Sequence, residues 1–147
     1  MARKPDRAGP MPLHLMKLAV GIDDVEHLRR VRAARAAERG GGWVYTRNRP
    51  RRAAEVLDGG SIYWVIRGQI RVRQLVAGFR SERDGNGRRY CLIEVDGHLV
   101  PTLSRSCRPF QGWRYLAPEA APPDRAAAAE VRLPEHLLTE LRALGLL

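Results

Sequence analysis

Residues 59–95 read GGSIYWVIRGQIRVRQLVAGFRSERDGNGRRYCLIEV, and the fold turns on how this stretch pairs with itself. Ser61 to Val65 is β-branched and aromatic and lies between Gly59-Gly60 and Gly68, the composition of a strand with turns on both sides. Ile70-Arg71-Val72-Arg73 alternates apolar and charged residues with the period of a half-buried strand. A three-residue loop Ile66-Arg67-Gly68, with Gly68 in the left-handed position, joins the two. That register sets Trp64 opposite Ile70, Ile62 opposite Val72 and Tyr63 opposite Arg71, giving one apolar face and one aromatic, basic face. A two-residue Gly68-Gln69 turn ranks second, because it would mix the faces.

Beyond Gln74 the alternation slips, and Leu75, Ala77 and Phe79 take over the apolar phase. A bulge near Gln74 would absorb the slip and bend the strand, as a small sheet closing toward a barrel requires. Asp84-Gly85-Asn86-Gly87 is a strong hairpin signal. Arg89 to Val95 is the return strand, with Cys91, Ile93 and Val95 on one face and Tyr90, Leu92 and Glu94 on the other. After Asp96-Gly97, His98-Leu99-Val100 is a short strand that Pro101 stops or confines to an edge.

Working outward, residues 1–10 read as a disordered tail and 11–147 as a single domain. Leu13 to Val20 is a strand candidate, with His14 an ordinary strand residue. Asp23 and Glu26 have capping-box spacing before a helix whose inner positions are Val25, Leu28, Val31, Ala34 and Ala37. Arg29, Arg30, Arg32, Arg35 and Arg39 crowd its polar face, and Gly40-Gly41-Gly42 ends it. Trp43 to Thr46 is a short strand. Pro50 opens a second helix, so Arg47, Arg49, Arg51 and Arg52 gather at a helix start that already favours anions. Residues 105–115, RSCRPFQGWRY, read as a loop that interleaves arginines with Phe110, Trp113 and Tyr115. Pro118 to Asp124 is extended, Val131 to Leu133 is a short extended piece, and Pro134 opens a last helix with Leu137, Leu138, Leu141 and Leu144 on one side.

The 147 residues carry 26 Lys and Arg against 16 Asp and Glu, a net charge of +10. Such a surface attracts polyanions. Cys91 and Cys107 are too few and too widely spaced for a zinc ribbon or a redox motif, and they fit a reducing cytoplasm. The sequence holds no stretch of the length and hydropathy of a membrane span. His14, His27, His98 and His136 have no ligand spacing, no serine sits in a nucleophile elbow, and no cofactor motif is present. A catalytic function is therefore not the expectation.

The pieces Leu13-His14-Leu15, Lys17-Leu18, Val20-Gly21, Thr46-Arg47 with Pro50, Leu57 to Ile66 with Gly68, Arg73 and Gln74, and Arg108 to Leu116 together resemble the bacterial family known as domain of unknown function 1489. The resemblance spans about Met11 to Asp124. It implies a soluble protein, mainly alphaproteobacterial, and no particular activity. At the level of the fold, the order of elements is similar to the small pseudo-barrels of the PUA and ASCH superfamily, many of which bind RNA, although the ASCH glycine, lysine and glutamate motif is missing.

The expected architecture is α+β: a curved, mostly antiparallel sheet closing toward a barrel, with about three helices. The expected function is binding of RNA or other single-stranded nucleic acid, in which arginine holds phosphates and flat rings stack bases. The candidate residues are Arg47, Arg49, Arg51, Arg52, Tyr63, Arg71, Arg73, Arg108, Phe110, Gln111, Trp113 and Arg114. A small-ligand or enzymatic site between Asp58-Ser61 and Gln111-Trp113, or a protein–protein adaptor surface, are the alternatives.

Overall fold

The computed structural model describes residues 12–127; the expected tail at 1–10, the extended piece at 131–133 and the helix from Pro134 lie outside them. The chain runs β1 (His14–Leu18), α1 (Val25–Arg39), β2 (Trp43–Thr46), α2 (Ala53–Leu57), β3 (Ser61–Ile66), β4 (Gln69–Arg83), β5 (Arg89–Val95), β6 (Val100–Ser106), β7 (Trp113–Leu116) and a 3₁₀ turn at Pro118–Ala120. One seven-stranded sheet has the order β2-β5-β4-β3-β1-β7, with β6 also paired to β4. The protein is thus α+β, and β2 and β7 end the path without meeting each other. Every pairing is antiparallel except β1 with β3. A parallel pair needs a long crossover, and here residues 19–60 supply it, carrying α1, β2 and α2.

β3 lies at the centre and is buried along its whole length. Ile62, Trp64 and Ile66 enter a main core with Leu15, Val44, Val72, Val76, Cys91 and Ile93. Tyr63 and Val65 enter a second core with Ile70, Phe110 and Leu116. The strand therefore lacks the polar outer face its alternation with β4 suggested. Two features of β4 explain the difference. The connecting turn is the two-residue Arg67-Gly68, between Ile66 and Gln69, with both central residues at positive φ (49° and 78°). This is neither of the two expected turns, but its twist matches that of the strands it joins. Next, Trp64 pairs with Val72 and Val65 with Ile70, which leaves Arg71 as an extra bulged residue. The bulge sends Ile70 and Val72 to opposite faces, so the apolar–charged alternation at 70–73 does not mark a single face.

The second slip falls at Ala77, where Val76 pairs with Val95 and Gly78 with Glu94, and not near Gln74. Gln74 stays buried and in phase because its amide is satisfied. Trp64 Nε1 donates to its Oε1 at 2.9 Å, and its Nε2 donates to the Asp96 carbonyl at 2.9 Å. A polar side chain with both ends bonded occupies a core position at little cost, and Leu75, not Gln74, points to solvent. Past this bend β4 pairs with β5, which pairs in turn with β2. β6 takes the edge of β4 opposite β3 and runs on past Pro101 to Ser106. Its outer edge suits a proline, which cannot donate to a further ladder.

α1 is capped by Asp24, whose carboxylate accepts from the His27 N–H at 2.7 Å, and not by Asp23. Asp23 instead receives Arg67 at 2.8 Å, tying the helix start to the β3–β4 turn. Ala34 and Ala37 are exposed, and the inner face is Leu28 with Arg32. Arg32, expected on the polar face, is thus buried. α2 has only five residues and starts at Ala53, three residues later than expected, while Pro50 is fully buried. The arginines at 47–52 therefore precede a helix too short for an appreciable dipole. Residues 105–115 are not one loop, since β7 begins at Trp113 and pairs with β1. Pro118, expected in extended chain, opens the 3₁₀ turn.

Candidate nucleic-acid interface

The twelve residues singled out by composition fall into two separate neighbourhoods. The first lies on the β1–β3–β4 face that carries the second core. Tyr63 pairs directly with Arg73. Arg73 makes a bidentate contact with Asp124, both bonds 2.8 Å, and its Nη1 donates to Ser61 Oγ at 3.0 Å. The guanidinium holds the Asp124 carboxyl below its usual range. His14 Nδ1 accepts from the buried Ser61 N–H at 3.0 Å, and its ring meets Tyr63 edge-on at 4.9 Å. Burial, then Arg73, lowers the His14 pKa to about 4, so the ring is neutral at pH 7. These groups border a groove of about 380 Å³ whose other wall is Pro118 and Ala121 to Asp124. Gly59 thus reaches a groove, as the alternative site proposed, but Ser61 is buried behind it and Gln111 to Trp113 do not form its far side.

The chemistry of this groove is that of a saturated network. A neutral His14 that accepts at Nδ1 carries its proton on Nε2, so it offers no lone pair for general-base work. Ser61 Oγ receives a cation's hydrogen bond and has no base beside it, the reverse of an activated nucleophile. Tyr63 is 5% exposed and Phe110 9% exposed, which leaves neither ring a face for a base to stack on. Arg114 lies over Phe110 at 5.6 Å, and Arg71 donates to Gln69 Oε1 at 3.2 Å. Arg108 and Gln111 are exposed beside this core. Among the described residues no three His, Cys, Asp or Glu side chains converge as a metal site requires.

The second neighbourhood joins the arginine-rich segment to β7. Trp113 Nε1 donates to the Asn48 carbonyl at 2.8 Å, and the Arg52 N–H donates to the Tyr115 hydroxyl at 3.0 Å. Trp113 and Tyr115 meet edge-on at 4.8 Å, so the two rings anchor the segment. Arg52 is held by Glu55 through two 2.7 Å bonds. Arg47 lies near Asp84 at 3.7 Å, Arg49 covers Phe79 at 5.5 Å, and Arg51 is exposed.

A third region, which the composition argument passed over, lies on the outer face of β2–β5–β4. Val44 and Thr46 of β2 and Cys91, Ile93 and Val95 of β5 point into the core, and burial raises the Cys91 thiol pKa. Alternation then places Trp43 and Tyr45, Tyr90, Leu92 and Glu94, and Gly78, Arg80 and Glu82 outside. The register brings them into rows: Trp43–Glu94–Gly78 and Tyr45–Leu92–Arg80. Tyr45 is 48% exposed, and its ring centroid is 5.2 Å from that of Tyr90. Arg80 lies over Trp43 at 4.7 Å and Arg47 over Tyr45 at 5.8 Å. Gly78 has no side chain to fill the row that Arg80 leans across. The signal was present in the sequence as Trp43-Val44-Tyr45 and Tyr90-Cys91-Leu92, but only the β2–β5 pairing, in which Thr46 meets Cys91 from 45 positions away, joins the two halves.

An α+β chain with a mixed sheet, one face sealed and another lined by uncovered rings and arginines, is the class the geometry defines. The family described as "Protein of unknown function (DUF1489)" matches residues 15–147, and the chain belongs to that family. No curated protein and no solved structure matches it. No helix among the described residues is long and apolar enough to cross a membrane.

Proposed function

We propose that this protein binds single-stranded nucleic acid, RNA foremost, across the outer face of β2–β5–β4. The observation that carries the reading is the Tyr45–Tyr90 pair on an open sheet face, with Tyr45 exposed and Tyr90 half-buried, flanked by Trp43, Arg47 and Arg80. Rings on an exposed sheet stack bases without regard to sequence, and arginines beside them neutralise phosphates and add cation–π contact. Arg80 is paired with Glu82 at 2.7 Å, so the phosphate path would draw as well on Arg88, exposed in the β4–β5 turn, which no ion pair neutralises among the described residues. The net charge of +10 supplies the long-range attraction.

The test is fluorescence anisotropy with a labelled decamer of RNA across a salt series. Affinity should fall steeply with salt, with a slope corresponding to about six phosphate contacts. Tyr45→Ala and Tyr90→Ala should each weaken binding by about 1–3 kcal/mol. An affinity that is flat from low to physiological salt, or untouched by both changes, overturns the reading.

A further inference from the structure

A cavity of about 260 Å³ lies beneath α1, between the end of β1 and the edge strand β2. Lys17, Arg32 and Arg35 line it with Trp64, Tyr45, Val44, Ile22 and Leu28 among the remaining walls. Among the described residues no aspartate or glutamate lines it. Arg32 is 8% exposed. Its Nη2 donates to the Trp43 carbonyl at 3.0 Å and its guanidinium lies 5.8 Å from the Trp64 ring, yet its Nε has no partner among the described residues. Arg32 also borders a second hollow of about 120 Å³ with Arg29 and Gln74, again without an acid in its walls.

A buried guanidinium without a carboxylate is costly, and such groups are ordinarily paired or bound to a ligand. The cost is visible in the direction of titration: burial lowers the pKa of Arg32 and of Lys17, and Arg35 and Arg39 lower that of Arg32 further. An anion entering the cavity would relieve all of these terms together. Three cations without a counter-charge among the described residues favour a dianion over a single carboxylate. The space exceeds what inorganic phosphate needs, and the indole and aliphatic walls suit a flat organic group attached to it.

We propose that the cavity beneath α1 is a binding site for a phosphate monoester, with Arg32 and Lys17 holding the phosphate, Arg35 at the mouth, and Trp64 against the organic part. The site is separate from the open sheet face, although Tyr45 borders both. The phosphate could belong to a free mononucleotide or to the end of a strand, and the same chemistry would recognise each.

The experiment is calorimetric titration of the full chain with AMP, adenosine and RNA decamers that carry a 5′-phosphate or a 5′-hydroxyl. AMP should bind at least about tenfold tighter than adenosine, the difference that a charge-assisted contact provides. Lys17→Met and Arg32→Met should each reduce that ratio about fivefold or more. Arg32→Met exchanges a buried charge for an apolar chain of similar length and is expected to fold, while Lys17→Met alters a half-buried position and keeps the test decisive if it does not. Glu119→Gln, exposed in the 3₁₀ turn and outside both sites, should leave the AMP ratio unchanged. If the 5′-phosphate strengthens decamer binding by a similar factor, a strand end is a natural occupant; if it adds nothing while AMP is still preferred, the occupant is a free monoester. Failure of both decamers to bind would remove the sheet-face function and leave the AMP preference standing. Equal binding of AMP and adenosine, or a preference that survives both substitutions, overturns the proposal.

Discussion

Two regions of this molecule are built from the same residue types and end in opposite states. Around Ser61, Tyr63 and Arg73, arginine is saturated by a carboxylate and a hydroxyl, the tyrosine is buried, and segment 118–124 forms the far wall. On the outer face of β2–β5–β4, Tyr45 is open to solvent beside a half-buried Tyr90, and the arginines lie across rings. The composition "arginine plus aromatic" is therefore not itself a binding signal. What separates the two regions is whether another part of the chain returns to cover the face. Where it does, polar groups must find buried partners inside the protein; where it does not, as at Arg80 with Glu82, the pairs stay solvent-exposed and can exchange with a ligand.

The comparison is broken most severely by a methyl group. Gly60 joins α2 to β3 at the covered side, and a Cβ there would stand 2.1 Å from the Leu13 carbonyl oxygen and 2.5 Å from that of Val56. Both are backbone atoms and cannot step aside, so Gly60→Ala should cost about 4 kcal/mol or more, or prevent folding. Gly78 on the open face is the control. Its Cβ would meet only the tip of Glu94 at 3.2 Å, and Gly78→Ala should stay within about 1 kcal/mol of the parent in urea unfolding.

Arg73→Ala comes next. It strands Asp124 and Ser61 together and should destabilise by about 2–4 kcal/mol, less than a fully buried pair because both partners keep some solvent. RNA affinity of the folded fraction should not change. If affinity falls while stability holds, the covered cluster is the binding site and the contrast between the regions is wrong.

His14 sharpens the comparison through pH. Folded, it titrates near 4; unfolded, near 6.5. Above about pH 6.5 both states are neutral at this residue and it has no effect on stability. As pH falls from 6.5 to 4 the unfolded chain binds the proton first, so stability drops, by up to about 3 kcal/mol. His14→Asn retains an acceptor for the Ser61 N–H and should remove this loss, seen as equal urea midpoints near pH 7 and pH 4.5. Asp124 contributes separately and later, because its loss sets in only as pH falls through the ordinary carboxyl value and continues down to its lowered folded one. The smallest stability effect belongs to Tyr45→Ala. With the ring already 48% exposed, it should cost about 0.5 kcal/mol while weakening RNA binding far more.

Much of the architecture was legible in local chemistry. The glycine at 40 ends α1 at φ 71°, the Asp-Gly-Asn-Gly turn makes the β4–β5 hairpin, and Cys91, Ile93 and Val95 are the inner face of β5. Turn residues and period-two alternation act over a few positions, so they can be read without knowing what packs where. The misread features share a different cause. Arg32 is inside because β2 and Trp64 meet α1 there, and Gln74 keeps the core phase because Trp64 and Asp96 bond its amide. Arg71 is bulged because two cores on opposite faces claim its neighbours.

By itself, the sequence determined most of the strands, the β4–β5 hairpin, the basic excess and the kind of side chains available for a ligand. Only the tertiary structure decided which of those side chains are already spoken for. Partnership between groups far apart in the chain depends on pairing register and on which face a returning segment covers, and neither is encoded in any short window of residues.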